Sequence, residues 1–179
     1  LGVYPGALNT PDLVLNEGKQ PAGALIIGLG DVGALSMQTL TTSYSRGLLR
    51  YALLRRDAVL AQAALQPSAA FSVPLELSSL LVGTLAGGLS LREALIAILR
   101  AIKLANTALQ SPALESETWL RFQSLEVVEL YADKAIEAAR LLRELLQQAE
   151  FRDDFTLSSW VHIVPGGYSR VMYSEPSGW

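Results

Sequence analysis

The sequence predicts an α/β fold with a mainly parallel sheet, and three observations carry that expectation. Short apolar runs alternate with long segments of helical periodicity, two of those runs end in glycine, and the helices that follow these two open on a serine. Three strand-then-helix units in a row imply right-handed crossovers and a sheet layered with helices. The 179 residues suit one domain. Within it the pattern divides into an irregular lead-in (1–20), three strand–helix units (21–150) and a C-terminal hairpin (151–179).

The lead-in is rich in Gly, Pro and Asn, and its run Leu13-Val14-Leu15 is read as one edge strand. Residues 22–28 (AGALIIG) form a short apolar run, as expected of a strand buried on both faces. A helix then starts at Ser36, with Leu35 and Leu40 placed to make a hydrophobic staple. Its inward face is Met37, Leu40, Tyr44, Leu48, Tyr51, Leu54, Ala58, Ala61 and Leu65, and it stops before Pro67.

The second strand is expected at 75–83, followed by a helix whose Ser90 and Glu93 make a capping box. That helix, Leu91–Leu109, carries Leu91, Leu95, Ile98, Ile102, Ala105 and Leu109 on one face and Ile96, Leu99 and Leu104 elsewhere. So narrow a polar stripe means that it is covered on more than one side or lies against another chain. The third unit is a strand at 125–130, Asp133 as helix cap, and an inward face of Ile136, Ala139, Leu142, Leu146 and Ala149. Residues 160–164 and 168–173 flank Pro165-Gly166-Gly167, a hairpin signal.

Composition removes several function classes. There is no cysteine, so a thiol nucleophile, a redox pair and a thiolate metal site are excluded from this sequence. With 14 basic and 17 acidic residues it lacks the basic stripe that phosphate neutralisation needs, so nucleic acid is not an expected partner. No apolar stretch reaches membrane-spanning length, and a soluble, cytoplasmic protein is the expectation. Half of the residues are apolar and 17% charged, so some apolar surface is expected to face a protein partner, through the Leu91–Leu109 helix. The opening Leu1 and closing Gly178-Trp179 suggest a piece of a longer chain.

The sharpest pattern is Gly28-Leu29-Gly30-Asp31-Val32-Gly33, a literal GxGxxG after a predicted strand. In a dinucleotide site the helix starts among the glycines and an acidic residue closes a second strand about 20 residues on. Here the helix start at Ser36 is too late and residues 53–55 are still helical, so Gly28, Gly30 and Gly33 are read first as turn formers. A small ligand at the loops after Gly28 and Gly83 is the alternative function, though Asp31 would repel an anion.

His162 is the only histidine, and a strand histidine beside apolar residues is more often structural than catalytic. Ser158 and Ser159 precede it without a nucleophile elbow, so a serine hydrolase is a distant reading. Glu126 and Glu129 are a conceivable carboxylate pair, but their odd spacing puts them on opposite faces of a strand. Asp153-Asp154 reads as a solvated pair, Arg46, Arg50, Arg55 and Arg56 as a wet helix face, and Tyr44 and Tyr51 as core. No catalytic residue, metal site or cofactor is expected.

The run from Gly23 to Leu35 (GALIIGLGDVGAL), followed by 41–53 (TTSYSRGLLRYAL), resembles the segment upstream of the peptidase half in large bacterial CHAT-domain proteins. Residues 1–6, 81–91 and 129–141 resemble the same segment in the same order. That family consists of caspase-like cysteine peptidases, often fused to other modules in bacterial signalling or defence. Its activity needs a His and Cys dyad, and neither residue can be carried over onto this sequence, because cysteine is absent and His162 is not in a His-Gly motif. The resemblance implies caspase-like or Rossmann-like layering and a non-catalytic scaffold or protein-interaction domain supporting a peptidase unit.

Overall fold

A computed structural model describes residues 6–16, 23–31, 33–63, 72–84, 88–110 and 119–158. The protein is mixed α/β, with three helices and two small sheets. Strands β1 (Pro11–Leu15) and β2 (Gly23–Ile27) pair antiparallel. Helix α1 (Met37–Ala63) leads to β3 (Ser72–Leu80), α2 (Leu91–Leu109), β4 (Trp119–Val128) and α3 (Ala132–Leu145). β3 and β4 pair parallel across the α2 crossover.

The mainly parallel sheet is therefore realised only in β3–β4. β2, expected within it, takes β1 as its partner instead. Gly23 makes that pairing close, because a Cβ there would lie 2.6 Å from the Val14 carbonyl oxygen. β3 begins earlier than expected and ends at Leu80, ahead of Gly83, whose φ of +84° turns the chain away. β4 likewise starts at Trp119 rather than at 125. The expected C-terminal hairpin, with Trp160, His162 and Pro165, lies outside the described residues.

Local chemistry fixes the first two helix starts as the sequence indicates. The Ser36 hydroxyl accepts from the Thr39 N–H (3.1 Å) while the Thr39 hydroxyl accepts from the Ser36 N–H (2.9 Å). This is a capping box with threonine in the third position, and Leu35 and Leu40 join the same apolar cluster beneath it. Ser90 and Glu93 close the same reciprocal pair at α2. Asp133 does not cap α3. The N-cap is Tyr131, and the Glu129 carboxylate accepts from the N–H groups of Leu130 (2.7 Å) and Tyr131 (3.1 Å) just before it, leaving Asp133 in the first turn, where its charge favours the helix dipole.

α2 is the centre of the molecule, with nine buried residues, eight of them in two clusters. On one side Ala97, Ile98, Ala101, Ile102 and Ala105 meet Leu40, Tyr44, Leu48 and Ala52 of α1 and Leu75, Leu120 and Phe122 of the β3–β4 pair. On the other, Leu91, Leu95 and Leu99 meet Ala138 and Leu145 of α3 and Phe151 in the turn beyond it. Each fully buried Leu, Ile or Phe contributes about 1.5–3 kcal/mol relative to exposure. The α2 helix is thus covered on two sides within the chain, and Leu104 remains exposed.

The predicted face of α1 holds from Met37 to Tyr51 and fails at Leu54, while that of α3 is turned toward Ala138 and Leu145. In α1 the buried row is Leu40, Tyr44, Leu48 and Ala52, while Leu54 is exposed. In α3 it is Ala138 and Leu145, with Leu141 and Leu142 partly buried, and Ile136 stands in solvent. Helical spacing alone cannot choose between adjacent apolar stripes, and here Phe151 and the leucines of α2 do.

Candidate functional site

The strand-end loops after β2 and β3 are the natural place for a ligand in an α/β protein. They pack on each other. A Cβ at Gly83 would lie 2.8 Å from Leu35 Cδ2 and 3.1 Å from Leu89 Cδ1, so the two residues that precede the helix caps close over this glycine. Gly30 and Gly33 have φ of +76° and +83° and form the turn that the sequence assigns to them.

Two amides of the first loop that a phosphate could use are taken by the lead-in. Gly28 N–H donates to the Thr10 carbonyl (3.2 Å) and Gly30 N–H to the Gly6 carbonyl (3.0 Å). Segment 6–10 is in turn pinned by Asn9, whose side-chain oxygen accepts from the buried Ser43 hydroxyl at 2.9 Å. Asn9 takes a positive φ of 62°, which asparagine tolerates better than most residues. At the second loop Leu89 N–H closes onto the Gly83 carbonyl (3.0 Å). Glu93 there accepts from both the hydroxyl and the backbone N–H of Ser90, bonds that hold its carboxyl below the usual range. A carboxylate at the start of α2 opposes an anionic ligand.

The carboxylate pair does not converge. Glu126 Oε2 accepts from the Ser78 hydroxyl across the strand pair at 2.7 Å, whereas Glu129 lies past the end of β4 and turns back onto the backbone. Tyr44 is core, as expected: its hydroxyl donates to Ser79 Oγ (2.6 Å), which donates to the Leu80 carbonyl (3.0 Å), and burial pushes its pKa up. Tyr51 stands against Phe122 with ring centroids 6.4 Å apart.

Ser158 is exposed in an irregular segment, and Ser159 and His162 fall outside the described residues. Asp154, read as merely solvated, is bonded to Lys103 at 2.6 Å, while Asp153 meets its neighbour Arg152. The helix arginines divide: Arg50 donates to the Pro11 carbonyl (2.7 Å), Arg56 pairs with Asp57, and Arg46 and Arg55 are exposed.

Sequence reasoning missed Asn106. Its carboxamide donates to the Phe122 carbonyl (3.1 Å) and accepts from the Phe122 N–H (2.9 Å), taking both backbone groups of one β4 residue. An amide one turn after the buried Ile102 is the available signal. Among the described residues no buried side-chain polar atom lacks a hydrogen-bond partner, no group of three or more His, Asp or Glu side chains could hold a metal, and no helix is long and apolar enough to cross a membrane.

These side chains tie elements together; they do not gather nucleophile, base and oxyanion donors at one point. Compared with protein-family models, curated proteins and solved structures, the chain matches none.

Proposed function

We propose that this chain is a non-catalytic scaffold or protein-interaction domain, working within a bacterial CHAT-like multidomain protein in signalling or defence. The observation that carries the interaction reading is a half-covered sheet. α1 and α2 pack on the inner face of β3–β4 and α3 packs on α2, so all three helices lie to one side, while the outward rows of both strands are exposed. Parallel strands are ordinarily covered on both faces. The other face of a caspase-like or Rossmann-like arrangement would then be supplied by a neighbouring domain or partner.

The parent family rests on the sequence resemblance alone. It is tested by the complete reading frame and by co-purification of this chain with the remainder of the encoded protein, expressed separately. A downstream His-Gly and a strand-end cysteine, with a stable complex between the two parts, are the expected results. A frame encoding neither residue sinks the CHAT assignment, and two parts that never associate sink the scaffold.

A further inference from the structure

We infer that the outer face of the β3–β4 pair is the docking surface for one amphipathic helix of a partner protein, with lysine or arginine beside its apolar stripe. The inference deepens the interaction reading above and rests on it. Alternation and register put four rows on this face: Pro74 with Arg121, Glu76 with Ser124, Ser78 with Glu126, and Leu80 with Val128. All eight residues are exposed, and the last row leaves Leu80 at 63% and Val128 at 40%. Leu130, just beyond, is also exposed, so an apolar patch adjoins an acidic band.

The occupant is narrowed by what the edges refuse. Asn106 holds both backbone groups of Phe122, which point to the same edge of β4, and Pro74 offers no N–H from β3. An added strand is thereby discouraged on either side. The cover that suits a parallel pair is a helix lying across it.

Charge narrows it further. A second copy laid antiparallel on this face would set Glu76 against the other copy's Glu126 row and Arg121 against its Leu80–Val128 row, so that like charges face each other and a guanidinium is pressed on an apolar patch. A second copy laid parallel would match the apolar rows but set Glu76 against Ser124 and Glu126 against Ser78, with no cation directly opposite either carboxylate. A helix with cations over Glu76 and Glu126 and leucines over Leu80 and Val128 satisfies both parts.

The test uses two synthetic amphipathic helical peptides with the same leucine stripe, one flanked by lysines and the other by glutamates, titrated into the chain by fluorescence anisotropy. The lysine peptide should bind and the glutamate peptide should not. Glu76→Gln with Glu126→Gln should weaken binding roughly tenfold, as expected for two partly exposed ion pairs, with the weakening reduced at high salt. Val128→Asp, at an exposed position, should abolish it with an unchanged circular dichroism spectrum.

Equal binding of the two peptides, or of neither, overturns the inference. So does a wild-type dimer in sedimentation that Val128→Asp converts to monomer, since that assigns the face to a second copy. None of these readouts depends on the reading frame, so the surface and the parent family can fail separately.

Discussion

The two sides of α2 are packed by different means. Toward α1 the helix presents Ala97, Ala101 and Ala105 in an i, i+4 row, all fully buried, which lets the row Leu40, Tyr44, Leu48 and Ala52 of α1 settle closely against it. Toward α3 it presents the longer Leu91, Leu95 and Leu99, and the space between the helices is filled by Leu145 and Phe151. Ion pairs ring this second side: Arg92 with Glu144, Arg100 with Glu150 in a two-bond fork, and Lys103 with Asp154. The first side thus depends on small residues allowing close approach, and the second on one aromatic plug with a charged rim. Close packing is intolerant of added volume, whereas a plug is intolerant of removal.

The largest effect should come from the plug. Phe151 is fully buried and edge-to-face with Phe155, so Phe151→Ala should cost about 3–5 kcal/mol in urea unfolding. Hydrogen exchange should show α3 opening before α1. Simultaneous loss of protection in both helices would break the comparison by making the two sides one cooperative unit.

Next comes added volume on the first side. Ala101→Leu should destabilise by about 1–3 kcal/mol through overpacking against α1. A neutral or stabilising result would mean that the close contact has room to spare.

The charged rim should matter least. A double-mutant cycle on Arg100 and Glu150, both more than a third exposed, should return a coupling of no more than about 1 kcal/mol. It should nevertheless leave a pH signature. The hydrogen bond from Arg100 holds the Glu150 carboxyl below its ordinary value. The stability that it adds is present above the unfolded carboxyl pKa and is lost as pH falls through the lowered folded value. Glu150→Gln should therefore reduce the acid-side slope of stability against pH, and an unchanged slope would show that the fork is inert in solution.

Much of the fold was legible because its signals are local. A Ser-x-x-Glu box acts over three residues, so α2 begins at Leu91 and ends at Leu109 as the sequence predicts. The same locality explains why the helix start at Ser36, well past the glycine loop, was legible. The site, by contrast, was legible only in outline. That Gly28 and Gly30 spend their amides on Thr10 and Gly6 could not be read from spacing, since those bonds depend on where the lead-in is folded back. Asn106 reaching Phe122 and Ser43 reaching Asn9 are hidden for the same reason.

By itself, then, the sequence determined the alternation of strands and helices, the two serine-capped starts and the absence of any thiol chemistry, because these follow from composition and from contacts a few residues apart. Only the tertiary structure decided that β2 pairs with β1 instead of joining the parallel strands, that α3 turns Ala138 and Leu145 inward, and that the outward rows of β3–β4 from Pro74 to Leu80 and Arg121 to Val128 are exposed. Pairing and burial are choices among surfaces of similar apolarity, and they are settled by which distant segment arrives to cover them.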